Sequence, residues 1–230
     1  GTAVLPSSFT GTLVSDQAHG HQGLINIQGG TLSVAADAYL GATTGAAVAN
    51  RIRLDGGRLQ ASDSFTLNAN RGITLGSAGG TVVVDPGQQL NYAGVIAGAG
   101  DLSKSGGGAW VLTGVNTMVG AVQLLGGDLY LGDGSNSTAS LGSNTINLAN
   151  GTSLTYNLNA NATVANSITG AGQLNKTGSV VLRMTGANSY SGATDTGTAG
   201  GLIYSNDLAP ATSGFTGAGA VTIEPASVNF

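Results

Sequence analysis

Both histidines of the chain stand two residues apart, at His19 and His21. At that spacing two imidazoles share one face of a strand, which suits a metal ion. A metal needs further ligands, and Asp16 is the nearest carboxylate. The expectation is therefore a solvated loop before the strand-like Leu24-Ile25-Asn26-Ile27, and no metal or cofactor is assigned. Carboxylates that cleave sugars must converge, often beside Arg or Lys. Here Asp55, Asp63, Asp85, Asp101, Asp128, Asp133, Asp195, Asp207 and Glu224 are scattered. Scattered acids read as solvated turns, so no catalytic residue is assigned. The densest basic group is Arg51, Arg53, Arg58 and Arg71, with Arg51 and Arg53 on one strand face. These four are the candidate binding patch, although Asp55 and Asp63 nearby point to surface pairing, worth little energetically. The GDGSNS run from Gly132 lacks both the tandem Gly/Asp repetition of calcium coils and the strand–turn–helix context of a hydrolase nucleophile. It reads as a turn.

The elements that must position these side chains are short strands. In Leu32-Ser33-Val34, Leu59-Gln60-Ala61, Leu90-Asn91-Tyr92, Leu154-Thr155-Tyr156 and Leu202-Ile203-Tyr204 the outer two residues are apolar or aromatic. Residues two apart share a strand face, so each pair is expected to enter a common core. Tyr92, Tyr156 and Tyr204 are placed inward on this basis, and Trp110 by its alignment with Leu182. Gly, Asn, Asp and Ser punctuate the runs, as corners require. Ala46-Ala47-Val48-Ala49 is the nearest approach to a helical pattern and is too short.

Composition agrees. Gly fills 40 of 230 positions, more than double the usual share of about 7%. Charged residues are 8%, against about 25% in ordinary domains. With 41% hydrophobic residues the chain is not a disordered type, and glycine shows no three-residue period, which excludes collagen. No apolar run approaches the ~18 residues of a membrane helix. A net charge of −4 provides neither a nucleic-acid footprint nor a polybasic membrane patch. There is no cysteine, as suits a chain that must stay unlinked during export. The opening GTAVLPSSFTG is not a signal peptide.

One long stretch is written twice. GAGDLSKSGGGAWVLTGVNTMVGA begins at Gly98 and GAGQLNKTGSVVLRMTGANSYSGA at Gly170, an ungapped offset of 72. Gly98/Gly170, Leu102/Leu174, Lys104/Lys176, Gly106/Gly178, Thr113/Thr185, Gly114/Gly186, Asn116/Asn188 and Gly120/Gly192 match, and Trp110 aligns with Leu182. Shorter units from Gly29, Gly56, Gly79, Gly126 and Gly200 recur at multiples of about 24 residues, so 72 reads as three coils of a β-solenoid. Asn116 and Asn188 then fall at equivalent corners, and Lys104 and Lys176 read as corner residues.

The pattern GAGxLxKxGxGxxxLTGxNxxxGA, followed by GGDLYLG from Gly126, resembles the autotransporter-associated strand repeat of bacterial surface proteins. NRIRLDGGRLQASDSFTLNANRGITLGSAGGTVVVDPGQQL from Asn50 and VIAGAGDLSKSG from Val95 resemble the coils that precede such a repeat. The resemblance covers most of residues 25–206. It implies an all-β chain folded as a right-handed parallel β-helix, with coils of roughly 24 residues. It also implies the passenger of a type V secreted protein, exported across the outer membrane to the surface or exterior of a Gram-negative-type cell. Passengers of this family serve as adhesins, aggregation factors or stalks. The expectation is one elongated segment over 1–230, with related repeats at 98–121 and 170–193. It is non-enzymatic and mediates adhesion, self-association or filament-like assembly. The expected partners are further copies of itself, or host and surface glycans and proteins. The alternative is a lateral carbohydrate- or receptor-binding module, with a polysaccharide-active enzyme behind it and an ice-binding face last, because no strict Thr-x-Thr ladder follows the coil period. Pro6 and Pro225 are placed as caps on the end strands, whose edges would otherwise pair with another chain.

Overall fold

The apolar–polar–apolar triplets fold as short strands, and every strand pairing is parallel among the residues described by the computed structural model, which are 1–142, 144–205 and 214–223. The chain winds repeatedly through three faces. Face 1 stacks Ala3–Leu5, Ile25–Ile27, Val48–Leu54, Arg71–Leu75 and Ile96–Gly98, then resumes with Ala162–Val164, Val181–Met184, Gly201–Tyr204 and Ala220–Ile223. Between these two blocks the stack is carried by less regular backbone, in which Thr117 N donates to Ile96 O and Asn116 N to Ser140 O. Face 2 runs from Thr12–Ser15 through Thr31–Val34, Arg58–Ala61, Gly80–Val84, Leu102–Ser105, Val122–Leu124 and Thr145–Leu148 to Ser167–Gly170. Face 3 runs from Phe65–Leu67 through Gln89–Tyr92, Ala109–Leu112, Asp128–Leu131, Ser153–Tyr156, Gln173–Lys176 and Thr194–Asp195 to Phe215–Thr216. One 3-10 turn, Asp37–Leu40, stands below face 3.

This is a parallel β-solenoid of about 10 turns with ~22 residues per turn, or ~48 Å of rod at about 4.8 Å per rung. The rung length is not the uniform period expected from the sequence. The turn that carries the chain from Ile25 to Ile52, its partner on the next rung, is longer than that period. The turn from Trp110 to its partner Leu129 is shorter. Corners absorb the difference, because a strand triplet cannot change length without flipping a side chain out of the core.

Inward positions form continuous ladders. On face 3, Leu90, Trp110, Leu129, Leu154 and Leu174 stack rung upon rung, all almost fully buried. Tyr92, Tyr156 and Tyr204 are inward too. On face 2 the ladder Leu32, Leu59, Val82, Lys104, Leu124, Leu148 contains a lysine. Lys104 is 0% exposed and Lys176 is 1% exposed, so both are core residues and not corner residues on the surface. Their stems complete the ladders, and their ammonium groups reach corner carbonyls. Lys104 Nζ donates to the carbonyls of Gly106, Gly108 and Gly126, and Lys176 Nζ to those of Gly178 and Ala199.

The duplicated stretch is the other departure from expectation. Three turns of ~22 residues come to six short of the 72-residue offset, close to one further face. Lys104 accordingly lies on face 2 and Lys176 on face 3, while Trp110 lies on face 3 and its counterpart Leu182 on face 1. Local roles are preserved through this rotation. Asn116 Oδ1 accepts from Ile96 N and its Nδ2 donates to Gly114 O; Asn188 Oδ1 accepts from Ile168 N and its Nδ2 donates to Gly186 O. The retained glycines have a steric cause. A Cβ on Gly98 or on Gly170 would lie 2.2 Å from the carbonyl oxygen of the rung below, and both residues have positive φ (114° and 98°).

Burial also sets a pH response. It pushes the Lys104 ammonium down to about 8, with Asp128 opposing, and lowers Lys176 in the same way. Above pH 8 the folded chain releases the Lys104 proton while the unfolded chain holds it to about 10.4, so stability rises with pH across that window. Burial raises Tyr92, Tyr156, Tyr190 and Tyr204. Their contribution is whole below pH ~10 and is lost as pH climbs towards their folded values. The melting temperature is expected to rise from pH 8 to 10 and fall beyond, with a flatter rise in Lys104→Met. A monotonic fall from pH 8 in the parent chain would contradict this account.

Candidate functional site

The four arginines do not share one exposed surface. Arg51 and Arg53 both leave the same side of Val48–Leu54, as their spacing predicts, but Arg51 is covered and 2% exposed. Its Nη2 donates to the carbonyls of His21 and Ala42. Arg71 is 1% exposed: it pairs with Asp37 at 2.8 Å and donates to the carbonyls of Leu40 and Gly41, holding the end of the 3-10 turn. Arg53 pairs with Asp55. Of the four, Arg58 alone is exposed, on face 2. Two of them are thus internal struts, because the loops after Ser15 and after Leu40 fold over them. His19 Nε2 lies 3.0 Å from Tyr39 O, and the imidazoles belong to that same cover. No cluster of three His, Cys, Asp or Glu side chains occurs among the described residues. Asp101 and Asp195 accept backbone N–H groups at corners. Asp207, Glu224 and the proposed cap Pro225 lie outside the described residues. Pro6 directly follows the first strand, and its carbonyl accepts from Phe9 N.

Two surface arrangements remain, one on face 2 and one on face 3. The outward ladder of face 2 is Thr12, Thr31, Arg58, Thr81, Ser103, Gln123, Asn147 and Thr169, in continuous register and uncharged except at Arg58. From Thr31–Val34 to Ser167–Gly170, short corners join its strands to faces 1 and 3 wherever the neighbouring strands are regular. Within that stretch the long excursions, residues 41–47 and 132–142, leave the chain on the approach to face 1, and residues 16–24, which precede it, link Thr12–Ser15 of face 2 to Ile25–Ile27 of face 1. From Thr81 to Thr169 face 2 therefore presents a flat polar strip, while Thr31 and Arg58 border a cavity of about 450 Å³ with Ser7 and Phe9.

On face 3 one of those excursions builds a wall. The segment after Asp128–Leu131 turns out at Gly132 and returns at Ala139, and it is pinned from both sides. Asn136 Nδ2 donates to Thr113 O on the rung below, and Asn159 Nδ2 donates to Ser135 O from the rung above. Asn136 Oδ1 accepts from the N–H groups of Thr138 and Ala139. Between wall and sheet lies a cavity of about 320 Å³ lined by Gln89, Asn91, Val111, Tyr130, Gly132, Asp133 and Asn157. A second of about 420 Å³, which shares Asn91, Val111 and Asp133, extends it past Thr66 and Thr113. Its floor is the outward ladder Asn91, Val111, Tyr130. Hydrogen bonds from the Ser135 hydroxyl and amide hold the Asp133 carboxyl below its usual range. The GDGSNS run is thus a built wall, a role that its composition as a turn does not disclose. A whole turn of chain separates each floor residue from the next, so only the rung register brings them together.

No family model matches the chain, and no solved structure matches it. Over 132 residues, 57% of its length, the chain is 36% identical to the adhesin BmaC autotransporter of Brucella suis biovar 1 (strain 1330). It spans only 4% of the length of that relative. A solenoid of stacked parallel rungs with buried lysines and retained corner glycines agrees with the strand-repeat pattern read from the sequence, and this chain is a β-solenoid homologous to a stretch of an autotransporter adhesin.

Proposed function

We propose that this chain is a non-enzymatic, surface-displayed adhesive segment of an autotransporter and that face 2 packs against face 2 of a second copy. The relationship to a protein named as an adhesin supports the adhesive, cell-surface part of the reading. The single observation that carries the packing is the strip from Thr81 to Thr169, bounded by short corners and with no charged residue in its outward ladder. Two such strips meet without burying ions, and their hydroxyl and amide groups supply donors and acceptors to each other. An interface of this type is polar and wet, hence reversible.

Light scattering after size exclusion tests it across a wide concentration range. The parent chain is expected to grow with concentration. Gln123→Glu with Asn147→Glu places like charges across the interface and is expected to weaken association at least tenfold, about 1.4 kcal/mol or more, with an unchanged circular dichroism spectrum. A strict monomer at every concentration removes self-association and leaves adhesion to a different partner.

A further inference from the structure

The groove on face 3 has a chemistry of its own, distinct from the strip on face 2. Its floor offers the half-buried ring of Tyr130 beside Val111, an apolar platform with a phenolic hydroxyl at its tip. Around the platform stand side chains that present donors and acceptors side by side. Gln89 Nε2 donates to Asn91 Oδ1 at 2.8 Å, which leaves the Gln89 carbonyl and the Asn91 amino group for an incoming group. Asn157 Oδ1 accepts from Thr177 Oγ1, leaving the Asn157 amino group. Asp133 binds Ser135 through Oδ1 and keeps Oδ2 as an acceptor.

A sugar ring matches this set. Its C–H face is apolar and fits an aromatic platform, while its edge carries adjacent hydroxyls that each donate and accept. Peptides would be expected to pair with a free strand edge, but the strands of this floor are paired on both sides. Among the described residues the only charge lining the groove is Asp133, and no Arg or Lys lines it. Sulfated and other polyanionic chains are therefore repelled. From Asn91 to Asn157 the groove crosses three rung steps, about 14 Å, the span of a short oligosaccharide lying along the rod.

We infer that the groove walled by residues 132–139 binds a neutral oligosaccharide, with Tyr130 as the stacking platform and Asn91, Asp133 and Asn157 as hydroxyl partners. The wall is pinned at Thr113 and Asn159, so the site is formed before the ligand arrives and little ordering opposes binding.

The test is a glycan array carrying neutral hexose chains, amino-sugar chains and sulfated chains, followed by NMR titration of the whole chain with the best neutral trisaccharide found. Neutral chains are expected to bind and sulfated ones not. Tyr130→Ala is expected to weaken binding at least tenfold, with Tyr130→Phe within about threefold, because the platform is kept and one hydroxyl lost. Both variants must retain the parent melting temperature and the parent scattering behaviour, since Tyr130 lies on neither the core nor face 2. Should Tyr130→Ala prove unstable, Asp133→Asn and Asn157→Ala are read in its place, each with an expected loss of fivefold or more. Absence of neutral-glycan binding, binding confined to sulfated chains, or full binding by Tyr130→Ala each overturns the inference. Failure of self-association would leave it untouched, because the two surfaces are on different faces.

Discussion

Trp110→Ala is expected to lower the unfolding free energy by about 3–5 kcal/mol, the largest single-residue effect in the molecule. Trp110 is fully buried, between Leu90 below and Leu129 above, so truncation empties the widest position of the face 3 ladder. Neighbouring rungs cannot close the gap, because each is held at strand spacing by its backbone hydrogen bonds. The indole N–H has no hydrogen-bond partner in the core. Trp110→Phe therefore removes an unpaired buried donor along with some volume, and these oppose each other. Its expected cost is below about 1.5 kcal/mol. Denaturant unfolding of the three chains decides the matter. A loss under about 1 kcal/mol for Trp110→Ala, well short of the usual cavity cost, would mean that the rungs do slide. Core ladders would then not be what holds this rod together.

The triplet pattern made the strands and their buried partners legible, because a period of two admits one inward set. Trp110 illustrates the limit of local reading. Its alignment with Leu182 correctly places it inside, yet the two residues belong to different faces. Register along a solenoid is a property of accumulated corner lengths, and corners here vary too much for a fixed period to locate a residue three turns away. The same cause hid the groove: Asn91, Val111 and Tyr130 are distant in sequence and share nothing locally that marks a site. The arginines failed for another reason. Their spacing on the strand was read correctly, but exposure depends on which loop folds over them, and Arg51 and Arg71 are covered by the segments at His21 and after Asp37. Charge in a strand points to the surface in a sequence, whereas two arginines and two lysines here are covered and donate to loop and corner carbonyls.

The buried lysines give the second large effect. Lys104→Met keeps most of the stem and so preserves the ladder from Val82 to Leu124, while it strips the carbonyls of Gly106, Gly108 and Gly126 of their common donor. Gly108 O keeps the Asp128 amide as a donor, and Gly106 and Gly126 are part-exposed, so the loss is that of charge-assisted hydrogen bonds and the expected destabilisation is about 2 kcal/mol. Lys176→Met takes the ammonium from the carbonyls of Gly178 and Ala199, both in exposed corner residues that water reaches, so its expected cost is smaller, about 1.5 kcal/mol. The two sites lie roughly three rungs apart, about 14 Å along the rod, on different faces and without a shared partner. The double variant is expected to lose the sum of the two within about 0.5 kcal/mol. Denaturant midpoints and slopes for the single and double variants measure this directly. Losses under about 0.5 kcal/mol for each, less than one ordinary hydrogen bond contributes, would return both lysines to decoration. Additive losses of the expected size would explain why this residue is retained through a repeat that turns by a face. The lysine follows the local corner that it must tie down and owes nothing to the face on which that corner falls. The outward residues of the two copies carry no such obligation, so they are free to differ and to present different surfaces in different directions.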